Sequence, residues 1–289
     1  MKATKWIPIL LAVLVWGGFA VTSWPGDGNI TTSTLALVRN QIQQSSYVLM
    51  KTRYVAAIEN DAMNLPNTRV DNWLKRQDLR DAKKTGDHRT LIELLEPIIA
   101  RNPDRLCMIP AYQHVGYAYG KLNDSAHANK TYRQGIASIR NIIDKNQGNG
   151  EYIFLCDMFR RYYDDLTNYS DEDYLNENSF YTRILNVSAY KDWRDVILNN
   201  MCSMEYRRAR YDQVIALCAQ IDEFYQTMPE PERNRVLQQC WKARAMFKQG
   251  KREDGIALME QTKTDPWGIA DREAIKYEMK LMESGKSLY

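Results

Sequence analysis

The stretch Ile109–Ile142, IPAYQHVGYAYGKLNDSAHANKTYRQGIASIRNI, decides how this chain is read. Tyr112, Val115, Gly116 and Tyr119 fall at spacings of three, one and three, and Ala128, Tyr132 and Gly135 follow at fixed distances from them. Residues three and four apart share a helix face, so the pattern predicts two helices joined by a tight turn. Gly116 and Ala128 would let the two antiparallel helices cross closely, with Tyr112, Tyr119 and Tyr132 filling the seam on either side.

Working outward, three further stretches carry the same order. Asn72–Arg105 has Gly86 and His88 at its turn, a stripe of Leu91, Leu95 and Ile98, and Pro103 at its close, where a helix cannot continue. Asp195–Met228 holds the second-helix start Arg210–Leu217, and Val236–Gly268 holds Ala243, Gly250, Gly255 and Ala257 around its turn. A large residue, a small one, an aromatic, then a small and a large, within a unit of about 34 residues, resembles the tetratricopeptide repeat. The first copy departs from that family at Lys75, where a Trp is usual, and at Leu79, where a small residue is usual. The resemblance implies an all-α fold, an α-solenoid of four or five antiparallel helix pairs, each burying its apolar face by stacking on the next.

The expected organisation has five parts. Residues 1–24 are a signal peptide or transmembrane anchor, and residues 25–70 a linker and one long helix, Thr31–Met63, of about 50 Å. Residues 71–143 hold the first helix pairs. Residues 144–190 form an irregular aromatic and acidic middle, with an aromatic helix at Tyr152–Tyr163 and an acidic loop at Asp164–Ser179. Residues 191–289 hold the remaining pairs, a break at Met228–Glu232 and a capping helix at Ala270–Met282.

The apolar share of 44% and charged share of 26% suit a folded chain, and 14 Gly with 9 Pro in 289 residues argue against an all-β sandwich. Lys and Arg number 39 against 36 Asp and Glu, a balance with no overall pull toward nucleic acid. Lys2 and Lys5 precede an uncharged run from Trp6, and no Lys or Arg follows until Arg39, which places the body outside the cytoplasm. Gly18 and Ala20 suit a cleavage site, whereas Trp6–Trp24 is 19 residues, close to the span of a bilayer. Both readings stand: exported and periplasmic or extracytoplasmic, free or anchored through residues 6–24. The five cysteines, at 107, 156, 202, 218 and 240, allow at most two disulfides in such a compartment or serve as small buried apolar residues, and their pairing stays open.

His88, His114 and His127 stand in no metal or nucleophile pattern, and Gly148-Asn149-Gly150 lacks the Lys of a phosphate loop. No catalytic residue, metal or cofactor is assigned. The acids of the middle, from Asp164 to Asn178, lack the spacing of an EF-hand. In the repeat family the first helices line a concave surface that holds a peptide or a partner helix. Carried over, those positions are Trp73, Arg76, Arg80, Lys83 and Lys84, then Gln113, Tyr117 and Lys121, then Asn199, Ser203, Tyr206 and Arg207, and last Arg244, Phe247 and Lys248. Such a basic and aromatic groove would favour acidic peptides or a terminal carboxylate. The function expected is a non-enzymatic scaffold or assembly factor binding other proteins in an envelope complex. A structural accessory subunit of a membrane complex and a helical envelope enzyme using the middle acids are the alternatives.

Overall fold

The structure, a computed structural model, describes residues 49–65, 73–227, 235–264 and 272–284. It is helical throughout these residues, with twelve α-helices and no strand among them. The leader, the start of the long N-terminal helix and the break at Met228–Glu232 lie outside the described residues. Helix α1 covers 49–63. No helix among the described residues is long and apolar enough to cross a membrane.

Four hairpins follow, and each turns in the same way. Helices α2 (Gln77–Thr85) and α3 (His88–Arg101) flank Gly86; α4 (Met108–Lys121) and α5 (Ser125–Lys145) flank Asn123. Further along, α8 (Arg194–Arg207) and α9 (Tyr211–Gln226) flank Ala209, and α10 (Val236–Lys248) and α11 (Arg252–Thr262) flank Gly250. These four residues are the positive-φ positions among the described residues, at 72°, 60°, 54° and 84°. In every case the next residue donates its N–H to the carbonyl five positions back: Asp87 to Ala82 and Asp124 to Tyr119 at 2.9 Å, Arg210 to Glu205 and Lys251 to Met246 at 3.0 Å. A left-handed residue closing that bond satisfies a carbonyl that the helix end would otherwise leave bare. The second helix then starts two residues after the left-handed one in all four hairpins. Asp87 and Asp124 also cap their helices, accepting from the backbone N–H of Thr90 and His127 at 3.1 Å.

Counting from each turn places the close crossings. Seven residues before it stand Leu79, Gly116, Cys202 and Ala243; five after it stand Leu91, Ala128, Val214 and Gly255. All eight are buried. In the second hairpin a Cβ on Gly116 would overlap the Tyr132 ring, and one on Gly135 would overlap Tyr162 of the following helix. In the fourth a Cβ on Gly255 would sit 2.9 Å from the carbonyl oxygen of Ala243. The expected role of Gly116 and Ala128 at a close crossing agrees with this geometry.

The middle corrects the sequence reading at one point. A 3-10 turn, Gly150–Phe154, leads into α6 (Leu155–Asp164), but Asp171–Ile184 is a helix, α7, where an acidic loop through Ser179 was expected. Ser170 caps it in a reciprocal box with Asp173: the Ser hydroxyl accepts the Asp173 N–H at 3.1 Å and the Asp carboxylate accepts the Ser170 N–H at 2.9 Å. Nor does the middle divide the core. Phe159, Tyr162, Tyr163, Phe180 and Tyr181 belong to one apolar cluster that runs from Tyr54 to Ala245. A second, smaller cluster joins Val236, Cys240, Ala243 and Met259 to Ile275, Met279 and Met282 of α12 (Arg272–Glu283), the helix expected to cap the chain. From α2 to α12 consecutive helices touch, and so do helices two apart in the second half: α6 with α8, α8 with α10, and α10 with α12.

Two substitutions probe this geometry in opposite directions. Ala209→Gly should raise stability by about 1 kcal/mol, because a left-handed alanine costs roughly that much relative to glycine. Gly116→Val should lower it by about 1–3 kcal/mol through overpacking against Tyr132. Urea unfolding followed by far-UV circular dichroism reads both, and a neutral Gly116→Val would remove the close crossing from the account.

Candidate binding surface

Helices α2 and α4, the first helices of two successive hairpins, meet where Lys83 Nζ lies 3.0 Å from His114 Nε2. The lysine donates and the neutral imidazole accepts. Burial first, and the Lys83 charge second, push His114 down to about 4, so this ring contributes no positive charge near neutral pH. The charge on this face is carried by Arg80, Lys83, Lys84 and Lys121, all exposed. On α4 stands Tyr117, 52% exposed, with its ring edge-on to His88 at 5.9 Å and the Lys121 ammonium 5.1 Å from its centroid. An exposed aromatic beside a cation offers apolar contact and charge together. Arg76 is tied to Asp78 and Gln113 is half-buried, both at the edge of this set.

The other expected groove residues are placed differently. Trp73 is in the core at 2% exposure. Tyr206 is buried at 6% and packs against Tyr211 and Trp241 at centroid distances of 5.4 and 5.7 Å. Arg207 is sunk in an ion cluster: its guanidinium donates to Asp164 of α6 and Glu177 of α7, and lies 4.9 Å over the Tyr169 ring. Arg160 donates to the other Asp164 oxygen. Tyr169 donates its hydroxyl to Glu177 at 2.9 Å. Glu177 is fully buried, and desolvation pushes it up to about 7 against the pull of Arg207. Arg244 pairs with both oxygens of Glu278 on α12 and covers the Trp241 ring at 4.7 Å. Asn199 and Ser203 are buried, and Lys248 is exposed. The third and fourth hairpins thus turn most of these positions inward onto neighbouring helices and leave Lys248 exposed, whereas Arg80, Lys84, Tyr117 and Lys121 of the first two stay exposed.

The acids of the middle are spent in the same way. Asp173 pairs with Arg133 of α5 at 2.8 Å and Asp171 with Arg208, while Tyr174 beside them donates its hydroxyl to Glu205 of α8 at 3.0 Å. Among the described residues, no three or more His, Cys, Asp or Glu side chains gather as metal ligands would. On the opposite side of the second hairpin, a cleft of about 490 Å³ runs between α3 and α5, floored by Ile99, Tyr112 and Val115 and rimmed by Glu96, Asp104, His127 and Lys130. Its mixed charges set it apart from the cationic α2–α4 face, and sequence reasoning did not find it.

Neither a protein-family model nor a curated protein matches the chain.

Replacing Arg207 with Met leaves the buried Glu177 without its counter-charge and Asp164 with Arg160 alone, and should cost about 3–5 kcal/mol, most of which the added change Glu177→Gln should restore. Equal losses in the single and double variants would show that the cluster is not a charge-compensated unit. His114 sets a pH dependence. Its folded value of about 4 lies below the ordinary 6.5, so the unfolded chain binds the proton first and stability drains as pH falls from 6.5 toward 4. His114→Gln should flatten the unfolding midpoint over that window; an unchanged slope would contradict the assignment.

Proposed function

We propose that this chain is an exported, tetratricopeptide-like helical adaptor that captures an acidic segment of a partner protein on the cationic α2–α4 face. The observation that carries this reading is Tyr117, an exposed ring with the Lys121 ammonium 5.1 Å from its centroid, on a helix that Lys83 of α2 bridges at His114. An exposed ring beside a cation, with Arg80, Lys83 and Lys84 exposed on the neighbouring helix, favours a ligand with carboxylates and an apolar side chain. The repeat reading is supported by the four identical left-handed turns and by the contacts between helices two apart. Hairpins stacked in this manner would form an α-solenoid, with the first-helix face open at its N-terminal end and covered by α6, α7 and α12 further along. Export, with the leader either removed or kept as an anchor, rests on the charge order around Trp6–Trp24.

Arg80→Glu with Lys84→Glu tests the surface without touching the core. Capture of partners from native membranes should fall by about tenfold or more, and wild-type capture should itself weaken as salt rises above about 0.15 M, where screening acts over about 8 Å. The far-UV spectrum should stay as it was. Undiminished capture by the folded double variant would remove this face from the function.

A further inference from the structure

The third hairpin carries cysteines at two positions that face one another. Cys202 stands seven residues before the turn at Ala209 and Cys218 nine after it. The same two positions in the second hairpin are Gly116 and Tyr132, so close that a Cβ on the glycine would overlap the tyrosine ring. By that equivalence 202 and 218 occupy facing positions at the crossing of α8 and α9. Local contacts agree. Cys202 Sγ is 3.9 Å from the carbonyl oxygen of Val214, one helical turn before Cys218, and the Cys218 thiol is a neighbour that adds to the upward push on the Cys202 thiol after burial. Cys218 Sγ lies 3.5 Å from the carbonyl oxygen of Gln238, and Gln238 Nε2 returns a bond to the Cys218 carbonyl at 3.0 Å, which holds α9 against α10 beside the pair. Both cysteines are fully buried.

We propose that Cys202 and Cys218 join in a disulfide that staples α8 to α9 when the chain folds in the presence of a small-molecule disulfide or a disulfide-donating oxidoreductase. One thiol gives up its proton and its thiolate attacks the donor disulfide, releasing one donor thiol and leaving a mixed disulfide. The second thiolate then attacks the protein sulfur of that mixed disulfide and expels the other donor thiol. Two protein thiols are oxidised and one donor disulfide is reduced to two thiols. Burial holds the Cys202 thiol far above its ordinary value in the folded chain, so the bond forms while the hairpin closes, before the core shuts around it. Oxidation in the cell rests on the export reading given above.

The test uses the full-length protein and glutathione as the probe. The reduced, unfolded chain is refolded in a reduced and oxidised glutathione buffer, quenched with acid, alkylated in urea at mildly alkaline pH with excess iodoacetamide and digested with trypsin. The expected product is the peptide Asp195–Arg207, which carries Cys202, linked to Tyr211–Arg233, which carries Cys218. The folded, reduced protein placed in the same buffer should form it at least tenfold more slowly. The linked protein should unfold several degrees higher than the same sample after dithiothreitol, since the bond closes a short loop of the unfolded chain. Recovery of both peptides alkylated, or of either one linked to the Cys240 peptide Val236–Lys242, overturns the pairing. Cys218→Ala keeps the result interpretable: Cys202 should then become alkylated, and an undiminished link from Cys202 to another cysteine would overturn the proposal. A parallel digest of protein recovered from native cells separates the two readings, because a link formed in refolding yet missing from the cell contradicts export and leaves the pairing standing.

Discussion

The fold depends on one constraint applied four times: a helix ends on a residue in the left-handed conformation, and its partner starts two residues later. That turn sets which positions of the two helices face each other, seven residues before and five to nine after, and the packing of each hairpin follows from what occupies them. Gly116 against Tyr132 gives one close crossing, and Ala243 with Gly255 gives another. Leu79 with Leu91 fills the same place with two branched side chains. The turn thus fixes register while the side chains tune separation, and hairpins of quite different sequence share one geometry.

Much of this was readable from residue types. Gly86 and Gly250 are ordinary left-handed residues, and Gly116, Ala128, Ala243 and Gly255 lie at the spacing that close crossings require. Asn123 is a natural occupant of that conformation, but Ala209 is not, so the third turn carried no signal of its own and had to be placed by its neighbours. The misreading of the middle has a plain cause. Ser170 through Asp173 spells a helix cap, yet the density of acids that follows suggested a solvated loop. Those acids are compensated by Arg133, Arg207 and Arg208, which lie 30 or more residues away in sequence, and distant compensation leaves no local trace.

The same reason explains why the expected groove residues stay exposed at one end only. Arg80, Lys84, Tyr117 and Lys121 stay at the surface. Arg207 and Arg244 occupy matching places in later hairpins but meet Glu177 and Glu278, and a buried arginine between carboxylates is a structural tie rather than a recognition element. Equivalent repeat positions thus serve different ends according to what packs over them. Basic residues at such positions mark a binding face only where no later helix brings the counter-charge.

The central claim is that the solvent-facing end of the stack, around Tyr117, meets the partner. Photo-crosslinking in native cells addresses it directly, with a benzophenone amino acid placed at 117 on α4 or, as the comparison, at the exposed Gln213 on α9. The account expects a discrete crosslinked partner from 117 and none from 213. Crosslinks that arise from 213 and not from 117 would contradict it.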